Sequence, residues 1–463
     1  MSSTPLARAI ALAALGASIA VPSLAQAEFL KDSKASIGLR NFYYNNDNHD
    51  GGQDEKDWAQ AFRFDYLSGF TEGTVGFGLD VTGTLGVKLD GGKGNHPNNS
   101  SFMPSDTDGG GKDNWSHAGA NGKVRLSKTE LRVGNALQPM LPVVLTNDSR
   151  VMSQLYDGGM LTSKEFDDFS LTAGQLGHVI GRASDNWTSL SVAGGTRGSN
   201  QFRFAGGDWK VNKELTLQYY YANLENYYNQ HFAGLTHVYP ISDNQSFKTD
   251  LRYFKSGDDG KNGQTGYQFN NNGGYAKNAG EVDNTTWSAM FTYSLGGHAL
   301  MLGHQRVSDD GGFVWLNQGS VLDRPGFSEG NSGSDFYLFT NAVVNQFARA
   351  GEQSTFGQYS YDFAKVGIPG LKASIAYISG DNIKDDPSRN NPAITTGANA
   401  YDGIGGDHKE WERDERIDYV FQEGALKGFG VTLRHGAYRG YTGAANADTD
   451  QTRLIFNYTL QLM

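Results

Sequence analysis

Seven arginines fall at positions where an alternating chain would turn them all to one face. Near the C-terminus, Arg416 lies opposite Ile417 and Tyr419, Arg434 opposite Val431 and Leu433, and Arg453 opposite Leu454 and Phe456. Arg63, Arg132, Arg203 and Arg252 hold comparable places earlier in the chain. A guanidinium stays charged and can grip a carboxylate through a two-pronged fork. A row of them on one wall would give an anionic solute several weak stations, and weak repeated sites permit both capture and release. Acidic residues share the same phase, among them Asp65, Asp80, Glu130, Asp250 and Asp418. Ion pairing along a wall is therefore the expected role of most of these arginines, and a substrate track that of the remainder.

Other chemistry is poorly represented. No G-x-S-x-G elbow occurs, since Gly330-Asn331-Ser332-Gly333 misses the spacing. H-E-x-x-H is absent, and the ten histidines are scattered. With no cysteine, disulfide scaffolds, thiolate zinc sites and cysteine nucleophiles are excluded. Asn46, Asn48, Asp50, Gly51 and Asp57 loosely follow a calcium-loop spacing. The first position is Asn, the last is Asp rather than Glu, and no flanking helices are evident. That segment reads as a hydrated loop, so neither a metal nor a cofactor is expected. Lys and Arg number 39 against 50 Asp and Glu, a net charge of −11, which argues against nucleic acid as a partner.

The elements that would carry the arginines are strands. Gly73 to Asp90 reads GTVGFGLDVTGTLGVKLD, with Val75, Phe77, Leu79, Leu85 and Val87 on one face and Asp80 and Lys88 on the other. Period-two alternation marks a strand with an apolar side and a polar side. An apolar-out, polar-in strand is the unit of a transmembrane β-barrel. Gly83 is either a kink within one long strand or part of a turn between two. The beat recurs: Phe62 and Phe64 against Arg63 and Asp65, Phe247, Leu251 and Tyr253 against Lys248, Asp250 and Arg252, Phe202 and Phe204 against Arg203. Tyr219, Tyr220, Tyr221, Tyr227 and Tyr228 gather as an interfacial aromatic girdle would. A parity flip at Ser127-Lys128-Thr129 predicts a tight hairpin.

Residues 1–27 read as a cleaved export signal. Arg8 is the positive start, Ala9 to Val21 the apolar run, and Ala25-Gln26-Ala27 the cleavage site. Residues 28–463 then form a single barrel domain. At about 24 residues per strand with its connection, that length gives about 16 to 18 strands, enough for an aqueous channel. The last strand is expected to pair with the first. Two stretches break the pattern, about 135–165 and about 309–335. The first holds Pro139, Leu141, Pro142, Val143, Val144 and Leu145. A loop folded into the barrel could bury these residues, and irregular backbone at membrane depth is tolerated where it lines a wet cavity. A partly helical extracellular lid is the other reading.

Several blocks resemble one known family. They are WAQAFRFDYLSGFTEGTVGFGLDVTGTLGVKLDGG (Trp58 to Gly92), KVRLSKTELRVGNALQPMLPV (Lys123 to Val143), DNTTWSAMFTYSL, GIPGLKASIAYISGDNI, HKEWERDERIDYVFQEG and RLIFNYTL. In that order they resemble the OprD family of outer-membrane porins over nearly the whole chain after the signal. The resemblance implies an all-β, 18-stranded antiparallel barrel with an inward constriction loop. It implies passive uptake of small carboxylate-bearing solutes such as amino acids, peptides and organic acids, and no enzyme activity. The family's basic ladder maps by block position onto Lys56, Arg150, Arg434 and Arg453, and its acidic eyelet residue onto Asp335. Asn46, Asp418 and Thr432 stand where some members carry a basic ladder residue. Arg416, on the face of Asp418, offers a replacement. Expected partners are small anionic or zwitterionic solutes, outer-membrane lipids and lipopolysaccharide, and the barrel-assembly machinery. The protein would act as a monomer or homotrimer in the outer membrane of a Gram-negative cell. A barrel enzyme acting on lipid or peptide, and a structural or adhesive barrel, are the rival readings.

Overall fold

Alternation in the sequence is realised as wall strands. The structure, a computed structural model, describes residues 29–49, 52–98, 100–271, 275–318, 333–384, 408–440 and 448–463. The expected signal segment, Asp50 and Gly51 of the calcium-like spacing, and residues 319–332 of the second insert lie outside the described residues.

Among the described residues, eighteen wall strands follow in order. They are β1 (Lys34–Asn48), β2 (Glu55–Leu67), β3 (Val75–Asp90), β4 (Asn114–Leu126), β5 (Thr129–Leu137) and β6 (Leu155–Ser163). Then come β7 (Phe169–Ile180), β8 (Phe202–Lys210), β9 (Leu215–Leu224), β10 (Tyr228–Ser242), β11 (Gln245–Asp258) and β12 (Asp283–Leu295). The last are β13 (His298–Val307), β14 (Gln353–Asp362), β15 (Leu371–Ile383), β16 (His408–Val420), β17 (Gly430–Arg439) and β18 (Thr449–Gln461). Each pairs antiparallel with the next. β18 returns to β1, from Ser36 opposite Gln461 to Asn48 opposite Thr449, so no edge is left open.

Turns at one end are short. Ser127-Lys128 joins β4 to β5, with Ser127 at φ 53°, and Gly296-Gly297 joins β12 to β13, with Gly296 at φ 59°. The other end carries the long connections, including residues 91–113, 181–201 and 308–352. Outer-membrane barrels place short turns on the periplasmic side and long loops outside. The outer face is greasy: Phe64, Phe77, Leu171, Phe291, Leu302 and Ile417 are all exposed. A contiguous band of that kind would be a liability in water but is the face that lipid requires.

Val75 to Asp90 is one strand. Gly83 sits in its middle, opposite Phe64 of β2 and Ala118 of β4, and makes no turn. Val75, Phe77 and Leu79 are exposed, and Asp80 is buried. β4 starts at Asn114, earlier than the pattern indicates, because its outward residues Ser116, Ala118 and Ala120 are too small or polar to mark a lipid face.

Other expectations are overturned. On β8, Phe202 and Phe204 are buried inside, and Arg203 lies on the outer side with Trp209. Arg203 is the second residue of its strand, at the extracellular end, where an outward arginine costs only about 0–1 kcal/mol. The tyrosine group divides. Tyr219 and Tyr221 face out, whereas Tyr220, Tyr227 and Tyr228 are buried within. Leu190 and Val192 alternate as a wall strand would, yet lie inside the barrel. Leu190 belongs to the short strand Trp187–Ser191, which pairs with Asn317–Gln318 of the second insert, and Val192 follows it, buried. The first insert is residues 138–154 rather than 135–165, since Leu155–Ser163 is wall strand β6. The second spans 308–352, well beyond Asp335. Both inserts fold inward onto an apolar cluster containing Val143, Val144, Phe204, Phe232, Phe254, Phe313 and Leu338. The Phe232 and Phe254 ring centroids lie 4.7 Å apart. A barrel this wide cannot fill its interior with wall side chains, so the inserts supply the packing.

Candidate functional site

Two prolines stop Pro139 to Pro142 from joining the wall ladder, because proline donates no backbone hydrogen bond. The chain instead makes a minimal hairpin, Met140–Leu141 against Val144–Leu145. Thr146 closes it by donating its hydroxyl to the Pro139 carbonyl at 2.7 Å. The second insert is stitched to this hairpin. The Asp335 amide donates to the Leu145 carbonyl at 2.7 Å, and Asn147 Nδ2 and Gln154 Nε2 donate to the Gly333 carbonyl at 3.2 and 2.9 Å. Together the two inserts narrow the lumen.

Basic side chains converge beside them. Strand register sets Arg416 opposite Arg434 and Arg434 opposite Arg453. Neighbouring strands are about 4.7–4.9 Å apart, so three like charges stand side by side and need compensation. Arg416 has it, donating to both oxygens of Asp418 at 2.6 and 2.9 Å. Arg453 is buried and donates to Gln451 Oε1 at 2.7 Å and to the Val343 carbonyl of the second insert. The enclosed Arg434 Nε has no hydrogen-bond partner among the described residues.

The first insert adds Arg150, whose guanidinium lies 5.0 Å from the centre of the Tyr44 ring. It donates to the Ser149 carbonyl at 3.0 Å, while its enclosed Nε has no hydrogen-bond partner among the described residues. Arg182, from residues 181–201, donates to the Ser149 hydroxyl. Arg150, Arg434 and Arg182 are all close enough to repel Arg453. Carboxylates frame the group. Asp335 accepts from the Phe336 amide at 3.0 Å and Asn341 Nδ2 at 2.7 Å, and attracts Arg182. Asp148 is gripped by both terminal nitrogens of Arg40, at 2.9 and 3.0 Å. Asp414 faces Arg434 and Arg453 and accepts the Val343 amide at 3.1 Å. A cavity of about 350 Å³ opens towards the short-turn end, lined by Lys372, Arg416, Asp418, Arg434 and Val343.

Arg150, Arg416, Arg434, Arg453 and Asp335 thus lie around the narrowed lumen. Lys56 does not. Its neighbours Glu55 and Asp57 are buried on the inner face, so Lys56 shares the outer face with exposed Trp58 and Phe62. The resemblance placed it on the ladder, whereas six residues of strict parity back from Phe62 place it outside. Arg40, Arg182, Tyr44, Asp148 and Asp414 were not singled out from the sequence. Arg40 already had the inward phase. Arg182 follows β7 in irregular chain, where no periodicity assigns a face. The remaining inward arginines pair with acids: Arg63 with Asp65, Arg132 with Glu130 and Asp80, Arg252 with Asp250.

The chain matches the model of the family described as outer membrane porin, OprD family, over residues 27–462. It is 33% identical over 445 residues to Porin D of Pseudomonas aeruginosa, covering 94% of this chain and 92% of that one. The crystal structure of P. aeruginosa OccK8 (OprE) superposes with a TM-score of 0.79 at 41% identity, covering 94% of this chain and all of the other. That of P. aeruginosa OpdK with vanillate superposes with a TM-score of 0.77 at 31% identity and the same coverage. Match and closed barrel together put the protein in the outer membrane, as a channel. The chain belongs to the OprD family of outer membrane porins.

Proposed function

We propose that the protein is a passive, substrate-selective channel for small carboxylate-bearing solutes: amino acids, peptides and organic acids. One observation carries this. At the narrowed lumen, the guanidinium groups of Arg150, Arg416, Arg434 and Arg453 converge, and Arg416 and Arg434 line an open cavity. Clustered like charges are mutually repelling, and a solute carboxylate bonded to them would offset that repulsion, each charged hydrogen bond contributing about 1.5–3 kcal/mol. Arg453 and Arg416 extend the track, Arg416 by exchanging Asp418 for the solute. Asp335, on the opposing insert, offers a negative end to the ammonium of a zwitterion. Diffusion drives the flux, and the electrostatic field selects. Vanillate, present in the OpdK structure, is itself a carboxylate.

The test is single-channel recording of the mature protein in a planar bilayer. Discrete conductance interrupted by carboxylates such as benzoate is expected. Arg434→Gln combined with Arg453→Gln should abolish the interruptions while preserving an open, folded barrel. Absence of conductance, or carboxylate flux unchanged in the double variant, would overturn the reading.

A further inference from the structure

Glu55 and Asp57 stand two residues apart on β2, so both side chains enter the same inner face. They meet His96 from residues 91–113. All three are buried, and their ligand atoms lie within 4.8 Å of one another. His96 Nδ1 faces Asp57 Oδ2 at 2.9 Å, and its Nε2 faces Ser105 Oγ at 3.0 Å. Ser100 donates its hydroxyl to Glu55 Oε1. Asp57 is fully buried, and its Oδ1 has no hydrogen-bond partner among the described residues. Gly91 makes the room: a Cβ there would come within 2.3 Å of that oxygen, and its φ of 129° suits glycine alone.

Two buried carboxylates facing an imidazole must either hold protons or share a cation, because burying unpaired charge is expensive. Lys88, on the adjacent strand, acts on Asp57 only through space, its ammonium bonding elsewhere, 2.9 Å from Asp113 and 2.6 Å from the Gly111 carbonyl. The donor set has the mark of a metal site. A ligating histidine usually has its second ring nitrogen held by a polar partner, as Ser105 holds Nε2 here. Imidazole with carboxylates suits zinc-class ions, whereas calcium takes 6–8 oxygens, roughly twice what this enclosed group supplies.

We propose that Glu55, Asp57 and His96 bind one divalent transition-metal ion of the zinc class, with water or a serine hydroxyl completing the shell. The ion pins residues 91–113 to the extracellular end of β2. That loop also carries Phe102, which stacks on Tyr44 with ring centroids 5.4 Å apart. The same Tyr44 ring supports Arg150. The metal therefore steadies one side of the constriction, a consequence that rests on the channel reading, whereas the binding itself does not.

The test uses the mature protein in detergent micelles, stripped with a chelator and titrated with zinc by calorimetry, with metal content measured by mass spectrometry. One zinc per chain is expected. Affinity should fall at least tenfold in Asp57→Asn and in His96→Gln, and stay unchanged in Asp54→Asn next door. Zinc should also raise the melting temperature of the wild-type protein, with reversal by chelator, a readout that needs no variant to fold. No saturable zinc, no rise in melting temperature, equal affinity in His96→Gln, or calcium binding as tightly as zinc would each overturn the proposal. If zinc binds as expected but leaves single-channel noise unchanged, the coupling to Arg150 is wrong and the site stands.

Discussion

A guanidinium between two aromatic rings is held by more than its charge. Arg252 lies 3.9 Å from the Tyr337 ring centre and 3.6 Å from that of Phe339, and donates to the Tyr337 carbonyl at 3.1 Å. Both rings belong to the second insert, so this wall residue tethers the insert to β11. Desolvated cation–π contacts are worth about 2 kcal/mol each, and Arg stacks better than Lys. Arg252→Lys keeps the charge beside Asp250 but loses the planar contact. It should lower the barrel's melting temperature and raise the noise of the open channel, and Arg252→Gln should do both more strongly. Melting in micelles and current recordings check this, and a Lys variant indistinguishable from wild type would refute it. At this scale the sequence was informative where parity could be counted. Arg416, Arg434 and Arg453 share a register because each alternates with lipid-facing neighbours. Lys56 came from block position alone, and parity contradicts it.

For whole strands, alternation fixes which residues share a face but not which face is inside. The usual key, apolar outward, works on β3 and β11. It inverts on β8, because the inserts bring an apolar core into the lumen and Phe202 and Phe204 pack on it. The sequence of β8 carries little to betray this, apart from Trp209 sharing the phase of Arg203. The inserts themselves were visible as prolines and apolar residues without a beat. Their ends were not, since wall strand and inward loop differ there only in their pairing partners. The inversion has a measurable consequence. Phe204 is 3% exposed and Phe64 is 41% exposed. Truncating Phe204 leaves a cavity, and Phe→Ala in a core costs about 3–5 kcal/mol. Truncating Phe64 leaves a gap that lipid can fill, so the cavity contribution vanishes. Urea unfolding of Phe204→Ala and Phe64→Ala in lipid vesicles should show the larger loss for Phe204→Ala. Equal losses would mean that β8 faces the other way.

Over the whole molecule, charge is distributed against the proposed cargo. The chain carries a net −11, yet its constriction is basic. Much of the acid sits at the long-loop end, where Asp54, Asp106, Asp108, Asp113, Asp258 and Asp309 are exposed. A carboxylate approaching from outside therefore meets a repelling rim before an attracting centre. Salt separates the two. The Debye length falls from about 10 Å at 0.1 M to about 3 Å at 1 M, which screens exposed rim charges, while enclosed groups are screened far less. For a carboxylate added on the long-loop side, the frequency of channel interruptions should rise with salt. The duration of each interruption, set by Arg150, Arg434 and Arg453 in their enclosed positions, should change little. On the short-turn side, exposed Glu165, Asp167, Asp168 and Asp243 stand among exposed Lys128, Lys164, Lys210 and Lys213, so the same solute, entering past the cavity lined by Lys372 and Arg416, meets a rim of mixed sign, and its frequency should fall with salt. Recording both sides at two salt concentrations decides the matter. A frequency that falls with salt from the long-loop side would show that the basic centre, rather than the acidic rim, governs approach, and a duration that collapses would place the binding station in open water.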